Sequence, residues 1–523
     1  MPEIIAFIKK HSYETAFLSV ILIGLFFRSY NFINRIDYGS DTTRDILIAQ
    51  EAVRTHQLPL FASFSSTGPY VFGPHYYWLN MISYVIFPTY IAPFILLLVF
   101  GTITIGIMMH AAKIIGGSRL SIVTGLLIAF SPQFIARSTF LTQHGYLGFA
   151  SVFSFLFFIL LIKTVKIRYA FILGITIGVA TMFHYAGINL LLLAPFIFFI
   201  PKMSIKLKLL SLILFSTGFA FMWIPLLYWD SSQSFANLRN FADFILIGQY
   251  RMYVPNSWRI FLFSFLPDYW QVVVGGYRTI SSFLIILVFL LAPFAAFKKN
   301  LNKYLVLSFF SFLSLLILNR YYRGERFDGY VIFLAPFIFI LSAWALLTLI
   351  EFFISIKKQY PFIFEVQFLG HALLIIVILG SFWNATQFIF TQNPRTNGDK
   401  NARDLLLEKY PGKTFAIYDY LYRTTDQSFA LVFFLHERHA DNPKGYPIGV
   451  MDRNYASLQK NRIIGDINGA LLLDLQGADL NQSTWKRKNQ EDVYQESIGW
   501  AKHEKLTSTF SFLNFIKEKL KMN

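Results

Sequence analysis

Apolar residues in this chain gather into long runs instead of the alternating or every-third-residue patterns that mark a half-buried strand or a surface helix. Runs near the roughly 20 residues that cross a bilayer occupy 12–30, 89–112, 119–136, 143–163, 168–183, 187–201, 206–228, 279–297, 303–319, 328–356 and 364–390. They predict a mainly α-helical polytopic protein with about eleven transmembrane helices. Residues 76–87 form a shorter apolar piece, either interfacial or an extension of the second span. The longer polar segments between runs are 31–75, 229–278 and 320–327.

The pattern changes after about residue 391. Apolar stretches shorten to strand length at Thr414–Tyr418, Ile448–Met451 and Ala470–Leu475, with helical periodicity between them at Ala402–Tyr410 and Gln427–Glu437. Alternating helix and strand signals predict a small α/β domain over 391–523, following a membrane domain over 1–390. No internal repeat and no low-complexity tract interrupts this division.

Composition agrees with a membrane class. The chain is 55% hydrophobic and only 14% charged, against about a quarter charged for soluble domains. Its formal net charge of +17 does not indicate nucleic acid, because the basic residues sit in short clusters between apolar runs, which suits anionic membrane lipids. One alternate set of loops carries Lys9 and Lys10, Lys113 with Arg119, Lys163 with Lys166, Lys202 with Lys206 and Lys208, Lys298 with Lys299, and Lys357 with Lys358. The positive-inside rule makes those loops cytoplasmic. The N-terminus is then cytoplasmic, and the segments 31–75, 229–278, 320–327 and 391–523 are extracytoplasmic, in a multi-pass protein of the plasma (inner) membrane. The first run has no small-residue cleavage site after it and is read as an uncleaved span. The absence of cysteine excludes thiol catalysis and disulfides.

Candidate chemistry concentrates in the first outer loop. Residues 42–54 read as an amphipathic helix, with Ile46, Ala49 and Val53 on one face and Arg44, Asp45 and Glu51 elsewhere. Asp41 has two readings. It caps the helix, with Thr42 and Asp45 forming a capping box, or it is a general base in a partly desolvated pocket at the membrane surface, with Asp45 one turn later. Further along lies Gly73-Pro74-His75-Tyr76-Tyr77-Trp78.

An acidic residue just past the first span, a helix, then a Pro-aromatic motif leading into the second span resembles the C-type membrane glycosyltransferases. The protein O-mannosyltransferases and the lipid A aminoarabinose transferases are the most similar groups. The resemblance covers residues 10–345 and includes Arg326-Phe327-x-x-Tyr330 and Pro336. It implies a sugar carried on a polyprenyl phosphate, moved with inversion to a lipid, glycan or protein acceptor outside the cytoplasm. It assigns the catalytic position to Asp41; Asp45 is then read as a support or an acceptor contact. The chain departs from the family in having Thr42 where a Glu is usual, and in carrying no carboxylate in the loop Ser138–His144.

The remaining candidates concern substrate binding. Arg323 and Arg326, beside Tyr321 and Tyr322, suit a lipid phosphate, or else anchor the interface with Glu325 between them. Arg44, His75, Tyr76, Tyr77 and His144 complete the substrate-binding set. His184 falls near the same surface, where a lone histidine is more often structural. Arg251, Arg259 and Arg278 either line the same groove or are solvated, and Arg137 reads as a snorkelling residue at a span end. Asp41, Asp45 and His75 do not have a recognised metal-ligand spacing, so neither metal nor cofactor is expected. A flippase or transporter, the rival class, predicts charged residues at span centres, and those are nearly absent. A glycan ligase or polymerase predicts no globular outer tail.

Overall fold

In hydrocarbon every backbone N–H and C=O needs an internal partner, so the apolar runs wind into helices. The computed structural model describes residues 11–65, 68–248, 254–296, 302–322, 324, 326–359, 366–391, 393–421, 423–480 and 484–493. The candidate residues Arg251, Arg323 and Glu325 lie outside them.

The membrane part begins with α1 (Ser12–Ser29), α2 (Ser40–Arg54), α3 (His75–Ile86) and α4 (Ala92–Ala129). It continues through α5 (Gln143–Thr164), α6 (Arg168–Phe183), α7 (Ile205–Ser231), α8 (Ala236–Leu246) and α9 (Leu266–Val274). Four long helices complete it: α10 (Arg278–Ala296), α11 (Lys303–Leu318), α12 (Ala335–Gln359) and α13 (Val366–Phe390). Among the described residues seven helices are long and apolar enough to span a membrane, or eight if Ser257–Val274 and Arg278–Pro293, bent by 101°, form one broken span.

The difference from eleven has local causes. Helix α4 contains two predicted spans joined at Gly116 and Gly117, whose backbone leaves the helical region, Gly117 at φ +78°. Ser121 Oγ then donates to the Met109 carbonyl at 2.8 Å, so the chain has doubled back on itself. The runs at 168–183 and 187–201 are helices too short for the span criterion, and the second is 3-10 over Tyr185–Leu193 and Pro195–Phe199. Lipid-facing stripes are visible as exposed apolar side chains, for example Leu18, Leu22 and Phe26 on α1 and Ile213, Phe221 and Ile224 on α7.

One buried charge closes a helix end. Arg28, with no solvent exposure, donates to the carbonyls of Gly24 (3.0 Å), Ile128 (3.1 Å) and Ala129 (3.3 Å). It satisfies the free C-terminal carbonyls of α4. The chain then runs along the second outer loop, with Asp37 N–H donating to Thr139 O at 3.1 Å and the Thr42 hydroxyl to Leu141 O at 2.9 Å. These bonds fix where α2 starts.

After α14 (Pro394–Lys409) the tail forms a five-stranded sheet in the order β3-β4-β2-β1-β5. The strands are β1 (Phe415–Tyr420), β2 (Tyr446–Asp452), β3 (Ile463–Ile467), β4 (Ala470–Asp474) and β5 (Trp485–Arg487). Strands β1 and β2 are parallel across the helix α15 (Thr425–His436), and the other pairs are antiparallel. The two short strands β3 and β5 have no counterpart among the runs read from the sequence. Helix α15 is apolar all round, with Phe429 to Leu435 buried, which requires cover on both sides. One side lies on the sheet and the other on α2.

That contact corrects the expectation for α2. It is not a surface helix with one wet face: residues 45–52 are all buried, held between α3 and α15. The capping box is absent too. The helix starts at Ser40, its N-cap is Gly39, and no side chain caps it. Asp41 instead lies in the first turn, where a negative charge suits the helix dipole.

Candidate functional site

The first turn of α2 opens on a cleft of about 620 Å³. Asp41, Arg44, Asp45 and Tyr77 form one side of it. Arg44 bridges the two carboxylates, with Nη1 2.8 Å from Asp41 Oδ1, and with Nε and Nη2 at 2.9 and 2.8 Å from Asp45 Oδ1. The Tyr77 hydroxyl donates to the same Asp45 oxygen at 3.1 Å. The two acids differ sharply in environment: the Asp41 side chain is 75% exposed and that of Asp45 4%. Burial pushes the Asp45 carboxyl up to about 6, against the pull of the Arg44 guanidinium and with a smaller push from the Asp41 charge. Asp41 keeps Oδ2 free of partners among the described residues.

The segment from Gln57 to Ser65 forms a second wall. It is held by backbone pairing with the strand-like stretch before α3, Ala62 N–H to Phe72 O at 2.8 Å and Phe72 N–H to Ser63 O at 3.1 Å. Trp78 Nε1 donates to Pro59 O (2.7 Å) and Gln143 Nε2 to Ser63 Oγ (2.7 Å). The floor contains His144, His184 and Tyr330, and Phe429 of α15 with Val493 line the cleft from the C-terminal region.

A second cavity of about 240 Å³ adjoins the first and is mostly apolar. Tyr70, Phe244, Ile245, Leu318 and Tyr321 line it, and Phe72, His184 and Tyr330 belong to both cavities. Tyr321 and Ile245 are exposed, so this groove is open to the surface.

The candidate residues separate by position. Asp41, Arg44, Asp45, Tyr77 and His144 line the cleft, and Arg326 lines the groove. Arg326 spends its donors on the protein: Nη1 on the Ser257 carbonyl (3.0 Å) and hydroxyl, and Nη2 on the carbonyls of Asn319 (2.8 Å) and Tyr322 (2.9 Å). His75 and Tyr76 line neither cavity. His75 lies against Trp78 with ring centroids 4.9 Å apart, and burial pushes its imidazole down to about 4. Tyr76 packs edge-on against Tyr146 at 5.7 Å. Arg278 pairs at the surface with Asp268 (3.0 Å), and Arg259 is exposed. Arg137 is not a snorkelling residue: it is buried and bonded to Asp328 Oδ2 at 2.9 Å. Among the described residues no three His, Asp or Glu side chains gather as a ligand set.

Residue-by-residue reading of the sequence missed Gln143, Phe429 and the role of His184. His184 is not a lone histidine, since its ring lies 4.2 Å from that of His144. Forty positions separate the two along the chain, and no local pattern connects them. Tyr330 does stand in the Arg326-Phe327-x-x-Tyr330 motif.

No family model and no curated protein matches the sequence. Solved structures do match the fold. ArnT from Cupriavidus metallidurans bound to undecaprenyl phosphate is 13% identical with a TM-score of 0.61, over 88% of this chain and 98% of that one. The oligosaccharyltransferase AglB from Archaeoglobus fulgidus, in complex with an inhibitory peptide and a dolichol-phosphate, is 14% identical with a TM-score of 0.53, over 95% and 78%. The apo form of the Archaeoglobus fulgidus oligosaccharyltransferase is 15% identical at a TM-score of 0.53, over 81% and 64%. With its bundle of spanning helices and its C-terminal α/β region, the chain shares the fold of these membrane proteins.

Proposed function

We propose that this protein is an integral membrane glycosyltransferase that moves a sugar from a polyprenyl-phosphate donor to a lipid, glycan or protein acceptor at the extracytoplasmic face. The observation that carries the reading is the junction of two unlike cavities. A cleft that carries two carboxylates meets a more apolar groove at Phe72, His184 and Tyr330. A donor with an isoprenoid tail and a sugar head needs both, end to end. Two of the fold neighbours support the same assignment, being structures with undecaprenyl phosphate or dolichol-phosphate bound.

In this mechanism the acceptor hydroxyl or amine attacks the anomeric carbon from the side opposite the phosphate. Its proton passes to the free Oδ2 of Asp41, and the carbon–oxygen bond to phosphate breaks with its electron pair going to the lipid phosphate. The configuration inverts. Asp41 is the base because it is the carboxylate that faces open space in the cleft. Tyr77 holds Asp45, Asp45 holds Arg44, and Arg44 holds Asp41. Positioned proton transfer is worth roughly 10²–10⁴-fold.

The test is turnover by purified protein in lipid with a panel of polyprenyl-phosphate sugars, next to Asp41→Asn. Sugar transfer is expected to fall by about 10² or more in the variant. Transfer at the parental rate sinks Asp41 as base, and the absence of turnover across the panel sinks the donor class.

A further inference from the structure

The cleft and the groove meet at one imidazole whose proton position is fixed by the fold. His184 follows the last turn of α6 and caps the 3-10 helix Tyr185–Leu193, its Nδ1 accepting the Ala186 N–H at 3.1 Å. A nitrogen that accepts carries no hydrogen, so the neutral ring has its hydrogen on Nε2. Burial pushes the imidazole down to about 3, which keeps it neutral. Its ring stacks with Phe72 (centroids 4.8 Å apart, 29° between planes) and with Tyr330 (5.3 Å, 18°), while His144 lies at 4.2 Å. These contacts hold the ring plane. Nε2 has no hydrogen-bond partner among the described residues and is not sealed from the cavity.

A fixed N–H donor at the point where the more apolar groove meets the cleft with its two carboxylates stands where a polyprenyl-phosphate sugar has its phosphate. Arg326, which lines the groove, has its Nη donors engaged by Ser257, Asn319 and Tyr322. We propose that His184 binds the lipid phosphate through Nε2–H and stabilises it as the leaving group, with the stacked rings of Phe72 and Tyr330 and the tilted ring of His144 setting its aim. The imidazole keeps its proton throughout. As the carbon–oxygen bond breaks, the phosphate gains negative charge and the hydrogen bond strengthens, which is a preference for the transition state. This role rests on the polyprenyl-phosphate reading above.

The experiment measures binding of undecaprenyl phosphate and of undecaprenol to the full chain in lipid nanodiscs, for the parent and for His184→Phe, His184→Gln and His184→Asn. A glutamine amide nitrogen reaches close to the Nε2 position and an asparagine nitrogen close to Nδ1. The parent is expected to prefer the phosphate. His184→Phe loses roughly tenfold or more of that preference, as one charge-assisted hydrogen bond is worth, with undecaprenol binding unchanged. His184→Gln keeps more of the preference than His184→Asn. Full preference in His184→Phe overturns the role of His184 and leaves the donor class standing. If His184→Phe loses undecaprenol as well, the other pair decides, and equal preference in Gln and Asn overturns the role. A parent that does not distinguish phosphate from alcohol overturns the polyprenyl-phosphate reading itself.

Discussion

At the scale of single residues the two acids of α2 divide the work by exposure. Asp41 faces the cleft, whereas Asp45 is buried and titrates near 6, with Arg44 and Tyr77 on one of its oxygens. The sign of the pH effect follows. Above about 6 Asp45 is ionised and holds the guanidinium; as the pH falls through that value it takes up a proton and Arg44 loses the carboxylate that both its Nε and Nη2 engage. Arg44 then turns fully to Asp41, which weakens the base. The expected pH profile of kcat/KM has an acid limb near 6 in the parent. Asp45→Asn is slower at neutral pH by roughly tenfold, the scale of one charge-assisted hydrogen bond, and lacks that limb. A limb unchanged in the variant assigns the titration elsewhere.

At the scale of elements the close crossing of α6 and α7 makes the most specific claim. A Cβ on Gly174 would lie 2.0 Å from the Phe215 carbonyl oxygen, and one on Gly218 2.3 Å from that of Phe171. Small residues let helices in a membrane approach to backbone contact, which is where their association energy lies. Gly174→Val forces the pair apart, and overpacking of this kind costs typically about 1–3 kcal/mol. Gly106→Ala is the control, since its added carbon would meet Ile21 at 3.4 Å and Phe17 at 3.5 Å, ordinary contacts. Thermal unfolding in one detergent should separate them, with Gly174→Val melting several degrees lower; coincident curves would refute a backbone-limited crossing. Elements were also what the sequence told most clearly. The long apolar runs and the strands at 414–418, 448–451 and 470–475 follow from the length of apolar stretches alone, because a bilayer and a small sheet each demand a characteristic one. The start of α2 did not, since bonds from Asp37 and Thr42 to the second outer loop decide it. The burial of α2 did not either, since α15 covers it from nearly 400 residues away. The site splits the same way: Asp41 and Tyr77 stand in short motifs, whereas the His144–His184 approach exists only in three dimensions.

At the scale of the whole molecule, charge and fold make a joint statement about orientation. The lysine-bearing loops alternate along the chain with the polar segments, of which 31–75 supplies Asp41 and Ser63 to the cleft and 229–278 supplies Trp229. Positive loops stay on the cytoplasmic side, so under the proposed function the cleft and the C-terminal region that lines it through Phe429 and Val493 are expected on the other side, where polyprenyl-phosphate sugars would be consumed. The absence of native cysteine makes this directly testable, because a single introduced thiol reports without background. Lys444 lies before β2 on the C-terminal sheet and Lys202 in the loop before α7, and both are exposed. In intact spheroplasts a membrane-impermeant maleimide should label Lys444→Cys at once and Lys202→Cys only after permeabilisation. The reverse pattern inverts the topology and removes the cleft from the side where the donor would be met. Labelling of both in intact cells would mean that the two loops share the outer side, contrary to an odd number of crossings between Lys202 and the C-terminal sheet.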